Sequence, residues 1–141
     1  GDYTVPIGEA KLTREGDHLT IIAYSRMTVE AERAADALAG AGITCDVVDL
    51  RSLAPLDMDT VAASVEKTGR ALIVAEDCKT AGVSAEVYTR VVEECFDFLQ
   101  APPRRVAAAD TPVPCADALE KAALPDAQKI INAATELLSY S

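Results

Sequence analysis

Three clusters of residues in this chain carry enough functional chemistry to be candidate sites. The first is Asp49-Leu50-Arg51-Ser52-Leu53-Ala54-Pro55-Leu56-Asp57, where a carboxylate and a guanidinium close an apolar run and a proline and a second aspartate follow. Charged groups at the carboxyl edge of a parallel sheet are where α/β folds place binding or subunit-contacting side chains. The second is Glu76-Asp77-Cys78-Lys79-Thr80-Ala81-Gly82-Val83-Ser84-Ala85-Glu86, between a strand-like and a helix-like segment. Backbone N–H groups at such a helix start can hold an anion, and a glycine there permits close approach. Cys78 is a poor nucleophile in this company, because adjacent carboxylates raise a thiol pKa. The third is a set of acids, Glu86, Glu93, Glu94 and Asp97, countered in their own segment by Arg90 alone. Such a face is either ordinary solvation or a surface that steers a basic partner.

Other familiar chemistry is missing. The chain has four cysteines, none in a Cys-x-x-Cys pair, and a single histidine, so zinc-ligand spacing is absent and free thiols are expected. His18 has no nucleophile or carboxylate pair beside it in sequence, and a solvated role is expected. Neither glycine-rich phosphate loop occurs. With 13 basic against 23 acidic residues the net charge is −10, which argues against nucleic acid and anionic membranes. No window approaches the length of apolar sequence that a membrane helix needs, and Gly1-Asp2-Tyr3 has no signal-peptide character. A single intracellular domain spanning 1–141, without transmembrane segments, is expected.

The elements that must position these residues alternate between strand and helix patterns, which marks an α/β fold. Lys11-Leu12-Thr13 and 19–24 flank the polar stretch 14–18, which reads as the tip of a hairpin. Met27, Ala31, Ala34 and Leu38 follow helical spacing until Gly40 and Gly42 stop them. Residues 44–50 form the next strand. Asp57 caps a helix with Met58, Val61, Ala62 and Val65 inward, and Gly69 ends it. The apolar run 71–75 predicts a strand covered on both faces. A helix with Val83, Val87, Val91 and Phe98 inward follows, capped by Ser84 or a neighbour. A short strand then spans 105–108, an extended connection 110–114, and a last helix about 126–138 with Ile130, Ile131, Ala134, Leu137 and Leu138 inward. Strands separated by helices should be mostly parallel.

The opening block resembles the Asp-Leu-Arg-Ser/Thr-Leu-x-Pro-Leu-Asp segment in the C-terminal domain of the β subunit of 2-oxo acid dehydrogenase E1 components. Further stretches resemble those subunits in the same order. They include Tyr3-Thr4-Val5-Pro6-Ile7-Gly8-Glu9-Ala10, Val65-Glu66-Lys67-Thr68-Gly69-Arg70, Ala81-Gly82-Val83-Ser84-Ala85-Glu86, Ala101-Pro102 with Arg105-Val106, Asp110-Thr111-Pro112-Val113-Pro114, and Leu124-Pro125-Asp126. The resemblance implies a transketolase C-terminal-like fold: three α/β/α layers around a five-stranded, mostly parallel sheet. It also implies an enzyme that decarboxylates a 2-oxo acid, pyruvate first, on thiamine diphosphate and Mg²⁺ and passes the acyl group to E2. In that family the cofactor and the activating glutamate lie in other regions, so this domain should itself be catalytically silent. Its implied partners are the E1 α subunit, a second E1 β subunit and the small basic peripheral-subunit-binding domain of E2. In the family that E2 domain meets an acidic residue just before the Ala-Pro pair, together with the C-terminal carboxylate. Here those positions are the uncharged Gln100 and Ser141, a departure from the family pattern, and Glu93, Glu94 and Asp97, one or two helical turns away, could supply the charge. Ala81 likewise stands where the family has a glycine. Asp49, Arg51, Pro55 and Asp57 are expected to order a strand end and meet neighbouring domains. A cytoplasmic location follows for a bacterial protein and a mitochondrial matrix location for a eukaryotic one. The alternatives are the equivalent domain of transketolase or deoxyxylulose phosphate synthase, or a free-standing anion-binding module.

Overall fold

A computed structural model describes residues 8–78, 82–108 and 125–140, with the backbone alone at 77 and 78. The elements run β1 (Lys11–Arg14), β2 (Leu19–Ala23), α1 (Met27–Gly40), β3 (Cys45–Asp49), α2 (Met58–Thr68), β4 (Ala71–Cys78), α3 (Val83–Cys95), β5 (Arg104–Ala108) and α4 (Ala127–Leu138). They build one five-stranded sheet in the order β1-β3-β2-β4-β5. β2, β3, β4 and β5 are parallel, and β1 lies antiparallel on β3. Alternate side chains of each inner strand enter opposite layers, as the two-residue period of a strand requires. Ile21, Val47, Leu72 and Val74 pack under α1 and α4. Ile22, Val48 and Ile73 pack under α2 and α3 with Val61, Val65, Val87 and Val91. The architecture is the expected three-layer α/β/α sandwich.

The structure corrects the expected hairpin. β2 is buried along its whole length and lies between β3 and β4, whereas β1 alternates between exposed and half-buried and takes the edge beside β3. A strand apolar on both faces belongs in the sheet interior, and an amphipathic one tolerates the rim. Residues 14–18 therefore cross the amino end of β3 instead of forming a solvated tip. Gly16 N–H donates to Asp46 Oδ1 at 2.8 Å, and His18 N–H donates to Thr44 O at 2.9 Å. A Cβ on Gly16 would lie 2.2 Å from the Cys45 backbone nitrogen, so only glycine passes here.

Helix ends follow their sequence signals with two exceptions. Asp57 and Asp126 cap α2 and α4 by accepting Thr60 N–H and Lys129 N–H. Gly69 takes a left-handed conformation at the end of α2. α1 closes in a Schellman motif, with Ile43 N–H on Leu38 O and Gly42 N–H on Ala39 O. Gly42 supplies the positive φ there, and Gly40 remains helical. Ser84 does not cap α3; it is fully buried on the inward face, and the N-cap is Gly82. Phe98 does not point inward either. After Cys95 the chain tightens into a 3₁₀ turn, Phe96–Phe98, which breaks the helical phase. Cys95 takes the inward position, and Phe98 stays exposed. β4 runs to Cys78, three residues beyond its apolar run. The segment 110–114 lies outside the described residues.

Candidate partner-docking site and the strand-end block

The strand-end block is built by local hydrogen bonds. Asp49 Oδ1 accepts the Arg51 N–H at 3.1 Å, a two-residue side-chain turn that holds Arg51 at φ 59°. Leu50 N–H donates to Ala23 O, which binds the end of β3 to the end of β2. Tyr24, Ser25, Asp49 and Arg51 line a shallow cleft of about 400 Å³ at the carboxyl ends of these two strands. Ala54-Pro55 is a cis peptide, and Pro55 packs against Gly8, where a Cβ would approach its Cγ to 2.8 Å. Asp57 does more than cap. Its Oδ1 accepts Thr60 N–H at 3.1 Å, while Oδ2 accepts the Thr60 hydroxyl at 2.6 Å and Ala10 N–H at 2.8 Å. Desolvation pushes this carboxyl up, but the Thr60 hydroxyl and the Ala10, Thr60 and Asp59 N–H groups together outweigh it and hold its pKa below the usual carboxylate range. The block thus fastens the entry of β1 to the start of α2.

A buried polar cluster was not foreseen from the sequence. Thr20 on β2 and Asp46 on β3 are register partners beneath α2, and both are almost completely buried. Thr20 Oγ1 meets Ser64 Oγ at 2.6 Å and Thr68 Oγ1 at 2.7 Å. Asp46 accepts the Ser64 hydroxyl at 2.6 Å and the Lys67 ammonium at 2.7 Å, in addition to Gly16 N–H. Ser64-x-x-Lys67 has the spacing of a serine nucleophile with a lysine base. Its geometry denies that chemistry. A base lysine must be neutral, and the hydrogen bond to Asp46, opposed by desolvation and aided by charge, raises the Lys67 pKa. The Ser64 proton is donated to a carboxylate with no imidazole behind it. The legible signal was a pair of polar residues, Thr20 and Asp46, interrupting apolar strands at matching depth.

His18 is exposed, and its Nδ1 accepts the Thr44 N–H at 2.9 Å, so the ring fastens the chain crossing. Burial drives the Cys45 thiol up to about 11, and Cys95 is raised by the same cause. Among the described residues no three histidine, cysteine or carboxylate side chains are grouped to hold a metal ion. No helix among them is long and apolar enough to cross a membrane.

Glu93, Glu94 and Asp97 gather at the opposite end of the sheet from the Asp49–Asp57 block, whereas Glu86 sits apart from them in the first turn of α3. α3 runs back to the amino ends of the strands, where Gln100 N–H donates to Gly69 O at 2.8 Å and the Gln100 side chain lies over Gly69. Phe96, Asp97, Leu99, Gln100 and Pro102 line an open groove of about 530 Å³ whose far wall is Tyr140. Phe96 is 70% exposed and Tyr140 52%, an unusual expanse of aromatic surface. Glu93 and Glu94 are exposed on the last turn of α3, one turn before Asp97, and Glu94 Oε2 accepts Arg90 Nε–H at 2.5 Å. Asp97 and Gln100 therefore share the groove, and Glu93 and Glu94 stand beside it. Ser141 lies outside the described residues.

The fold is that of a doubly wound α/β/α domain. The chain belongs to the transketolase C-terminal domain family: the family model described as "Transketolase, C-terminal domain" matches residues 8–130. Its curated relatives include the pyruvate dehydrogenase E1 component subunit beta of Bacillus subtilis, 44% identical over 99% of this chain and 42% of that subunit. The mitochondrial subunit beta-1 of Arabidopsis thaliana is 47% identical over 93% of this chain and 36% of its own length. The chain thus spans about two-fifths of the relatives it matches. Among solved structures, a split-gene transketolase in an inactive β4 tetramer superposes with a TM-score of 0.82 at 27% identity, covering 98% of this chain and 44% of that one.

Proposed function

We propose that this chain is the assembly and partner-docking domain of a thiamine-diphosphate-dependent pyruvate dehydrogenase E1 β subunit. The groove between Phe96 and Tyr140, with Asp97 on its rim, carries that reading. Exposed aromatic side chains supply contact area, and Asp97, Glu93 and Glu94 supply attraction for the small basic binding domain of an E2 component. The strand-end cleft at Asp49 and Arg51, on the opposite edge of the sheet, is the surface for the E1 α subunit or a second E1 β subunit. The described residues do not fit a diphosphate and its metal ion. At the carboxyl ends of the strands the ionic groups include Asp49, which holds the Arg51 N–H, and Glu76, which holds Arg26 at 2.7 Å. Thiamine chemistry belongs to other regions of the enzyme, and pyruvate is supported by the names of the relatives alone. A free-standing anion-binding module finds little support at the start of α3, where Glu86 in the first turn adds negative charge.

Titrating the chain with a basic peripheral-subunit-binding domain at low and at moderate salt tests docking. Saturable binding that weakens as salt shortens the screening length to about 10 Å, and that drops about tenfold in Asp97→Lys, is expected. No binding, or binding indifferent to salt and to Asp97→Lys, would remove the docking reading.

A further inference from the structure

The lining of the groove between Phe96 and Tyr140 fits a narrower ligand chemistry than acidity alone. Asp97 is its one charged residue; the rest is aromatic rings, apolar walls such as Val92, Leu99 and Pro102, and the uncharged Gln100. Among the described residues the Asp97 carboxylate takes part in no ion pair. Among them, too, the one cation over an aromatic ring is Arg105 over Tyr88, so Phe96 and Tyr140 carry none, and both are more than half exposed. An occupant must therefore cover two rings and answer one carboxylate. An apolar side chain would bury Asp97 with its charge unmet, and an acidic one would add to that charge. A lysine ammonium answers the charge, but it is compact and strongly hydrated and gains less from a ring face. A guanidinium does both: it stacks flat on an aromatic face, directs N–H groups at a carboxylate, and lays its aliphatic stem along apolar walls.

We propose that Phe96, Tyr140 and Asp97 form a clamp for one arginine side chain of the docked partner, and that the clamp makes docking selective for guanidinium over ammonium. The identity of that partner rests on the docking reading; the preference for a guanidinium rests on the groove's own lining. With the uncharged Gln100 in the groove no second carboxylate is present there, so the rings supply the discrimination.

Two titrations of the chain test the clamp. In the first, by calorimetry, the arginines of a basic peripheral-subunit-binding domain are changed to lysine one at a time, which keeps every charge. One such change should weaken binding about tenfold, and in the Phe96→Leu variant the same change should cost less than about threefold. Phe96→Leu keeps apolar bulk and removes the ring, and at so exposed a site it should melt with the parent. In the second, followed by amide chemical shifts, Nα-acetylarginine amide at millimolar concentration should move the signals of Asp97, Leu99 and Tyr140, and Nα-acetyllysine amide should not. Arginine and lysine forms of the domain that bind alike at every position, a lysine penalty undiminished in Phe96→Leu, equal shifts from the two amides, or none from the arginine one would each overturn the proposal. If the arginine amide moves the groove signals selectively while the domain does not bind at all, the docking reading alone is lost.

Discussion

Asp57 offers the sharpest test of how the strand-end block works, because one carboxylate caps α2 and holds the entry of β1. Replacing it with alanine removes an N-cap worth about 1 kcal/mol. It also strands the Ala10 N–H, bound at 2.8 Å. A hydrogen bond to a charged acceptor is worth about 1.5–3 kcal/mol when buried, and partial exposure of this site brings the figure to about 1. The combined loss of about 2 kcal/mol corresponds to roughly 8 °C in Tm for a chain of this size. The Asp57→Asn variant keeps a capping oxygen for Thr60 N–H but has one acceptor too few for the remaining two donors, so it should lose about half as much. Thermal melts followed by circular dichroism at pH 7 should therefore rank parent above Asp57→Asn above Asp57→Ala. The pH dependence follows from the lowered pKa of Asp57. A carboxyl depressed in the folded state contributes fully above its unfolded value of about 3.9, and loses that contribution as pH falls through the folded value. The Tm gap between parent and Asp57→Asn should stay constant from about pH 7 to 5 and close below about pH 4; other carboxylates cancel in the difference. An alanine variant melting within about 2 °C of the parent, or a gap unchanged down to pH 3, would refute this account.

Three further outcomes follow from the packing. Gly16→Ala forces a Cβ to within 2.2 Å of the Cys45 backbone nitrogen, and urea denaturation should show a loss at or above the upper end of about 1–3 kcal/mol for overpacking. Ser64→Ala leaves buried Asp46 and Thr20 each short of a partner and should cost about 1–3 kcal/mol, whereas the exposed Ser139→Ala should stay within about 0.5 kcal/mol. Cys45, with its thiol pushed up to about 11 by burial, should resist a thiol-specific chromogenic reagent at pH 8 in the folded chain and react promptly in denaturant.

What could be read in advance was whatever a local pattern determines. The inward positions of α1, α2 and α4, the Asp57 cap and the helix stop at Gly69 all follow from spacing within a few residues. Strand order was not readable by the same means. Pairing β1 with β2 was the shorter loop closure, but β2 and β3 are both buried almost throughout and each takes a neighbour on both edges, which leaves the amphipathic β1 at the rim beside β3. The cue was Gly16, where a glycine in a charged stretch marked backbone passing close to backbone. Phe98 is exposed rather than inward because the 3₁₀ turn, Phe96–Phe98, breaks the helical phase that the sequence pattern extends through it. The acids beside the Phe96 groove were visible as composition, but a charge run acquires a direction only when the fold puts an apolar anchor next to it. Asp49–Asp57 and Glu93–Gln100 stand at opposite ends of the same parallel strands, one at the carboxyl edge and one at the amino edge. A docked partner at the second end therefore leaves the first accessible, and the proposed division of labour between subunit assembly and E2 docking follows from that separation.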